Sequence, residues 1–599
     1  MSTMGSFGEV TEFGHGFRSH FLHDLKYTNL NHDEAARDPH VTSMSDSYAM
    51  SLILNIRNAL RGYQKLAESA PDRFLRYQYV DLLNKSRERI STLLNAPVDD
   101  CVFVSNATTG INTVLRNLQY KEKDCIIYFD TVYGAIEKTL LSIVETNPQV
   151  QLRKVGHGQD FAYSLPCTHS EILNALSQTI SRVIYDGLTP KVCVFETIVS
   201  IPGVRFPFER ITKMCKEYGI LSVIDGAHGV GQIALNLTQL DPDFFVSNCH
   251  KWLYTPRGCA VFYVPARNQH LIRTTFPTSH GYVPVSTANV RQVLPDTGKS
   301  PFVSLFQFVA TADNTPYYCV PAALNFRQNL CGGEEAIYNY IRDIAQRGAD
   351  LLAMLLGTEV MDDLDAGFGL KTMGSYEASV HREGGTYGWT GGLRDCAMAN
   401  VLLPVTIVGA TTRGSISMGP GGAGSAGGLS PALRQSSYGF PSAGATTAST
   451  TASLRAASGS SLLDASVRSS SPLSSPSLYA SGPIIIQEED VMKHVEWMQK
   501  TLLDEYNTFV AIYQYDGRLW TRISGQIYLE LKDFEWLGGV LKALLERVRS
   551  GESLRGKNAA PILRDVDFGN LAITPTASRQ GPGASVRRYD AASGSWVDG

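Results

Sequence analysis

The chain reads as an α/β protein whose central sheet is mostly parallel and covered by helices, and three features of the sequence point there. From about residue 85 to 265, short runs rich in Val, Ile and Phe recur: "CVFVSN", "CIIYFD", "KVCVFE", "LSVIDG" and "FFVSN". Between them lie stretches such as "PFERITKMCKEYG", with helical spacing and a closing Gly. The strand runs are apolar at successive positions rather than alternate ones, the pattern of strands buried on both faces. Strands that alternate with crossover helices pair in parallel, and ligands of such sheets sit outside the carboxyl ends of the strands. The polar residues that end these runs are therefore where chemistry is sought.

Composition narrows the partners. With 599 residues the chain is long enough for two or more domains and a large core. Charged residues make up 18% and the net charge is -4, a balance that points to neither nucleic acid nor a membrane surface. Ten cysteines occur with no C-x-x-C pair, which argues against a disulfide framework or a structural zinc site and for a reducing, cytoplasmic compartment. The start, "MSTMGSFGEVTEFGHGF", has no apolar signal region, and runs such as "VLLPVTIVG" are too short to cross a bilayer.

The pattern breaks near residue 409. Gly, Ser, Ala, Thr and Pro make up most of residues 411 to 480, too few large apolar groups to offset chain entropy, so 409–483 is expected to be a disordered insert. It splits a folded unit. Before it stands the strand-like "CAMANVLLPVTIV", and after it come the amphipathic "EEDVMKHVEWMQKTLLDEYN", then "LWTRISGQIYLEL" and "FEWLGGVLKALLERV". From 551 to 599 a flexible tail is expected.

The strand ends carry the candidate chemistry, and each candidate has an ordinary structural reading beside it. In "VSNATTGINTVLRNL", Asn106 can cap a helix opened by Thr108 and Thr109, whose hydroxyls and free amides would suit a phosphate; simple capping would use the same residues. Tyr133, past the end of "YFD", could stack on a planar ligand or pack. Asp225 ends a buried strand, where a carboxylate needs a cation such as a protonated pyridine nitrogen, unless it caps its own turn. The glycines at 226, 229 and 231 form G-x-x-G-x-G, an order that differs from the dinucleotide turn, and a nicotinamide enzyme rests on them alone. Lys251, in "NCHKWLYTPRG", is either a solvated charge or a desolvated amine fit for a Schiff base. A phosphate cradle, an aromatic stacker, a strand-end acid and a strand-end lysine, on successive strands of one sheet, match the parts of pyridoxal 5'-phosphate.

The motifs "VFVSNATTGINTVLRN", "VYGA", "SVIDGAHGVGQ", "NCHKWLYTPRGCAVFYV", "NTPYYCVPAALNFRQNLCGGEEAI" and "TRISGQIYLELKDFEWL" resemble the class V aminotransferase group of fold type I pyridoxal-phosphate enzymes. Within it the chain is similar to the isopenicillin N epimerase-like branch and to fungal hercynylcysteine sulfoxide lyases of ergothioneine biosynthesis. The resemblance implies a segment at 1–84, a large cofactor domain at 85–310, and a smaller α+β domain from 311–408 and 484–550. It implies that Lys251 carries the cofactor, Asp225 pairs with its ring nitrogen, Tyr133 stacks on the ring and His228 lies near the ring hydroxyl. Thr108, Thr109, Ser247 and His250 would hold the phosphate. Thr311 would reach the neighbouring site of a homodimer, although the family has Gly where Ala310 stands. Arg522 would bind the carboxylate of a small amino-acid substrate.

Such a site removes a substrate α-proton, and C–S cleavage, transamination or epimerisation can follow. A desulfurase would in addition need a nucleophilic cysteine, for which Cys319 and Cys331 are the candidates by position, although their helix-like apolar context suits structural burial; Cys249, adjacent to the site, is expected to pack. After "LNH" the chain runs into "DEAARDPHVTSMSDSYAMSLILN" where the family has a glycine turn, and 366–394 also departs from the pattern. A cofactor-binding pseudoenzyme with an interaction insert is the reading from another class.

Overall fold

A computed structural model describes residues 12–22, 27–31, 53–156, 164–284, 300–363, 392–409 and 484–555, and the backbone of 587–590 and 595–598. The segments 32–52, 364–391, 410–483 and 556–586, which hold all but Gly409 of the expected insert, most of the altered stretch after "LNH" and most of the expected tail, lie outside the described residues.

Fourteen strands carry the described part up to Leu554: β1 (Thr28–Asn29), β2 (Cys101–Val104), β3 (Asp124–Phe129), β4 (Gln151–Val155), β5 (Thr189–Glu196), β6 (Leu221–Asp225), β7 (Phe244–Asn248), β8 (Ala260–Tyr263), β9 (Met398–Leu402), β10 (Val405–Val408), β11 (Ile484–Gln487), β12 (Thr508–Phe509), β13 (Ala511–Tyr515) and β14 (Arg518–Ser524). Seven of them form one sheet in the order β2-β8-β7-β6-β5-β3-β4. Its neighbours pair in parallel except at β8, which runs against both β2 and β7. The α/β reading with a mostly parallel sheet is what the structure has.

Both faces of that sheet are buried, which is why its strands are apolar at every position. In β5, Val192 and Val194 face one layer with Ile111, Ile136 and Leu140 from the helices Ala107–Asn117 and Gly134–Thr146. Cys193 and Phe195 face the other, with Ile172, Leu176 and Ile211 from the helices His169–Tyr185 and Phe208–Tyr218. The second of these helices stops at Gly219, at φ 68, as its closing Gly foretold.

A three-stranded antiparallel sheet, β13-β14-β9, packs with the helices Glu334–Leu356 and Leu531–Arg549 in a second core. The two helices approach where Gly348 lies against Phe534 and Gly538 against Leu355. The run "CAMANVLLPVTIV", expected as one strand, is two, because Pro404 has no amide hydrogen to continue the ladder. β10 and β11, on either side of residues 410–483, pair in parallel from Val405–Ile484 to Val408–Gln487. The N-terminal segment joins the C-terminal elements: β1 pairs with β12, and Arg18 meets Asp533 at 2.6 Å. Among the described residues no helix is long and apolar enough to cross a membrane. The backbone at Arg587–Asp590 and Ser595–Asp598 forms a separate two-stranded hairpin.

Candidate active site

The carboxyl ends of β5, β6 and β7 meet at Lys251. β7 runs into a single helical turn, Cys249–Trp252, which carries this lysine inward, 5% exposed. Its Nζ lies 3.0 Å from His228 Nε2. The other ring nitrogen of His228, Nδ1, is 3.0 Å from the carbonyl of Ile198; a carbonyl only accepts, so Nδ1 carries the hydrogen and Nε2 presents its lone pair to the lysine. Asp225, the last residue of β6, is buried and accepts the Ala227 amide at 3.0 Å. Burial pushes its carboxyl up from the ordinary range, against the lowering pull of that amide, His228 and Lys251.

The glycines between Asp225 and Lys251 have a packing explanation. A Cβ at Gly226 would lie 2.5 Å from the Phe245 ring, and at Gly231, with φ 86, 2.5 Å from the Trp252 backbone. The next helix, Leu237–Leu240, is one turn long. A dinucleotide turn opening a long helix is not what these glycines build.

At the start of the Ala107–Asn117 helix, Asn106 Oδ1 caps the Thr109 amide at 2.8 Å and accepts the Thr109 hydroxyl at 3.0 Å. The Ala107 amide is taken by Asn248 Oδ1 at 2.8 Å. Capping is thus present at Thr109, and the residue that ties this helix start to the lysine strand is Asn248. Ser247, one position earlier, belongs to the opposite face: its hydroxyl donates to the Gly226 carbonyl and accepts the Val230 amide at 3.0 Å. His250 is buried with Nδ1 2.8 Å from the Cys259 carbonyl, and burial with the adjacent Lys251 charge pushes its imidazole down to about 4. Tyr133 opens the Gly134–Thr146 helix, and its amide donates to Glu196 Oε1 at 3.0 Å.

Arg522 is 2% exposed in the middle strand of the small sheet and reaches the loop after β5, where Nη1 donates to the Ser200 carbonyl. Its Nη2 donates to Asn31 Oδ1 at 2.6 Å. Gly203 leaves room for it, since a Cβ there would lie 2.7 Å from Arg522 Cδ. Asn400, paired with Arg522 across β9 and β14, holds Gly203 by two bonds of 2.9 and 3.0 Å. One loop, 196–200, therefore touches Tyr133, His228 and Arg522, while the Thr197 amide bonds the Asp225 carbonyl at 3.1 Å.

Thr311 stands apart, exposed in the loop between the helices Pro301–Gln307 and Thr315–Tyr318. Ala310 beside it has φ 59, a left-handed conformation that costs a residue with a Cβ and that the family's Gly would take freely. Three residues of the site were not singled out in the sequence: Glu196, Asn248 and Asn31. Glu196 ends "KVCVFE" and obeys the strand-end rule that found Asp225. Asn248 and Asn31 carry no such signal, because one depends on strand register and the other on a contact across most of the chain.

The rim of the site has unmet polar groups. Thr131 Oγ1, Thr197 Oγ1 and Glu196 Oε2 are buried without a hydrogen-bond partner among the described residues. A planar ligand with polar edges fits that donor set, and a buried lysine between a histidine and a strand-end acid fits an aldehyde cofactor.

A lysine so placed at the carboxyl edge of a mostly parallel sheet, beside a strand-end acid, is the arrangement a pyridoxal-phosphate enzyme requires. Residues 52–291 match the aminotransferase class-V family model. The chain is 34% identical over 546 residues to the L-cysteine desulfhydrase-like protein lolT1 of Epichloe uncinata, a match covering 90% of this chain and 97% of that one. It is 30% identical over 351 residues to the hercynylcysteine sulfoxide lyase of Schizosaccharomyces pombe, over 58% of this chain and 80% of the relative. The cysteine desulfurase CsdA of Escherichia coli shares the fold, with a TM-score of 0.53 at 15% identity over 89% of this chain and 98% of that one. The chain belongs to the class-V aminotransferase family, whose cofactor is pyridoxal phosphate.

Proposed function

We propose that the protein is a pyridoxal-phosphate-dependent C–S lyase acting on a cysteine-derived sulfoxide of the hercynylcysteine sulfoxide kind. What favours a lyase over a desulfurase is the state of its thiols. All ten cysteines are free and buried. A desulfurase needs an exposed thiolate to take the departing sulfur, whereas burial pushes the Cys319 and Cys331 thiols up to about 12. Sulfur then leaves to solvent. The names of the Epichloe and Schizosaccharomyces relatives support the same class and, for the second, the sulfoxide.

In this reading Lys251 holds the cofactor and afterwards takes the substrate α-proton, with His228 Nε2 at 3.0 Å ready to exchange a proton with it. Asp225 meets the ring nitrogen, Tyr133 the ring face, and Thr108, Thr109, Asn248 and His250 surround the phosphate. Thr311 serves the neighbouring site of a homodimer. Pyridoxal phosphate, when bound, supplies the electron sink that the side chains lack. Arg522 presents its guanidinium to the substrate carboxylate, held in place by Ser200 and Asn31.

A panel of cysteine conjugates tests the reaction. Equimolar pyruvate and ammonia are expected, fastest with the sulfoxide. A keto acid without free ammonia would make the enzyme an aminotransferase, an inverted amino acid an epimerase, and a persulfide a desulfurase. Arg522→Lys, which replaces a fork by a point charge, is expected to raise KM about 10- to 100-fold with a smaller change in kcat, checked by steady-state kinetics.

A further inference from the structure

One acid on the rim is unused in this reading. Glu196 closes β5 in parallel register with Asp225, which closes β6. Register partners of parallel strands point to the same face. Val192, Val194 and Val223 lie in the layer under the Ala107–Asn117 and Gly134–Thr146 helices, so alternation sets Glu196 and Asp225 side by side at the top of that layer. Each is 3% exposed. Glu196 Oε1 accepts the Tyr133 amide at 3.0 Å, and Oε2 is buried with no hydrogen-bond partner among the described residues.

Two buried carboxylates in register disfavour ionising together, because each lacks solvent and the charge of one raises the cost of the other. The surroundings decide which keeps the proton. Burial first, then Asp225 from β6 and Asp130 from just beyond β3, both acidic, hold the Glu196 carboxyl well above the usual range, against the opposing pull of the Tyr133 amide and of its own backbone amide. Around Asp225 stand His228 and Lys251, which favour its ionised form.

We propose that Glu196 is a positioning residue that keeps its proton while Asp225 is ionised, so that its neutral carboxyl fixes the Tyr133 turn and leaves Asp225 the sole anion of the pair. The proposal rests on the pyridoxal-phosphate reading of the site. Its consequence is that the ring nitrogen meets one negative charge, and that the stacking residue is anchored by a group whose charge does not change near neutrality.

Wild type, Glu196→Gln and Glu196→Ala are compared as full chains by three measurements: affinity for pyridoxal phosphate, the pH midpoint of the cofactor's visible absorbance, and the infrared carbonyl stretch of protonated carboxylic acids at neutral pH. Glutamine copies the shape and charge of protonated Glu. Glu196→Gln is therefore expected to bind the cofactor within about twofold of wild type, leave the midpoint in place and lose one carboxylic-acid stretch. Glu196→Ala is expected to bind about tenfold more weakly, the effect of one lost buried hydrogen bond. A midpoint moved by about one pH unit to the acid side in Glu196→Gln would mean that a negative charge had been removed. That result, or an infrared spectrum unchanged by the substitution, overturns the proposal. If no protein of the set develops the visible band, the cofactor reading is what fails, and the infrared comparison on the apoproteins still decides where the proton sits.

Discussion

Lys251→Ala is expected to abolish turnover, by about 10⁴-fold or more, and to remove the visible absorbance of the lysine-bound cofactor while the fold stays intact. Two separate losses combine in that number. The covalent tether goes, and so does the base 3.0 Å from His228 Nε2. The side chain is 5% exposed and ends on a histidine rather than in a layer of apolar neighbours, so its removal leaves a small polar gap that water can enter. Circular dichroism and the thermal transition of the apoprotein are therefore expected to match wild type closely. Lys251→Arg separates charge from chemistry: it keeps a cation beside Asp225 but offers no amine that can attach an aldehyde. Both variants are expected to be inactive and to carry no borohydride-reducible cofactor adduct on the chain, read by mass spectrometry of the peptides. A reduced adduct on another lysine in Lys251→Ala would mean that the cofactor is attached elsewhere, and the site at the ends of β5, β6 and β7 would be wrong.

The sheet was legible because burial on both faces leaves a signature at every strand position: Val192 to Phe195 and Val223 to Ile224 are apolar without alternation. Asp225 and Lys251 stood out against that background as polar residues at its ends, and Glu196 stood there too. Ser247 and Asn248 show the limit. Neighbours in a strand face opposite ways, and only the register of β7 against β6 and β8 tells which one looks toward the Ala107–Asn117 helix. The partners of Arg522 were out of reach for another reason. Asn31 is 491 residues away in sequence, brought in by the pairing of β1 with β12. Pattern reading sees periods of two and 3.6 residues, whereas such contacts have no period.

Arg327 is the strongest case of a contact without a sequence signal, and Arg327→Met is expected to destabilise the protein by about 3–5 kcal/mol. The guanidinium is fully buried and meets four acceptors on three elements. Nε and Nη2 pair with the Glu334 carboxylate at 2.6 Å each, Nη1 donates to the Trp252 carbonyl at 2.9 Å, and Nη2 donates to the Gly231 carbonyl at 3.0 Å. Its face lies 5.1 Å from the Tyr254 ring centre, and Tyr254 holds a φ of 68 that a bulky residue adopts only under constraint. Trp252 follows Lys251, and Gly231 closes the turn that carries His228. The clamp therefore holds the two turns whose side chains meet at 3.0 Å. Methionine fills much of the volume but leaves the Glu334 carboxylate, still bonded to Tyr338, without its cation and two buried carbonyls without their donor, and that lost polarity, more than lost packing, sets the size of the effect. Lysine cannot repair it, since one ammonium does not span four acceptors. The double variant Arg327→Met/Glu334→Leu is expected to recover part of the stability, because it removes the stranded charge, but little of the activity, because the two turns remain untied. Urea unfolding of the apoproteins gives the energies, and cofactor affinity reads the geometry. A single variant that unfolds within about 1 kcal/mol of wild type would mean that the turns of Lys251 and His228 hold each other without the arginine.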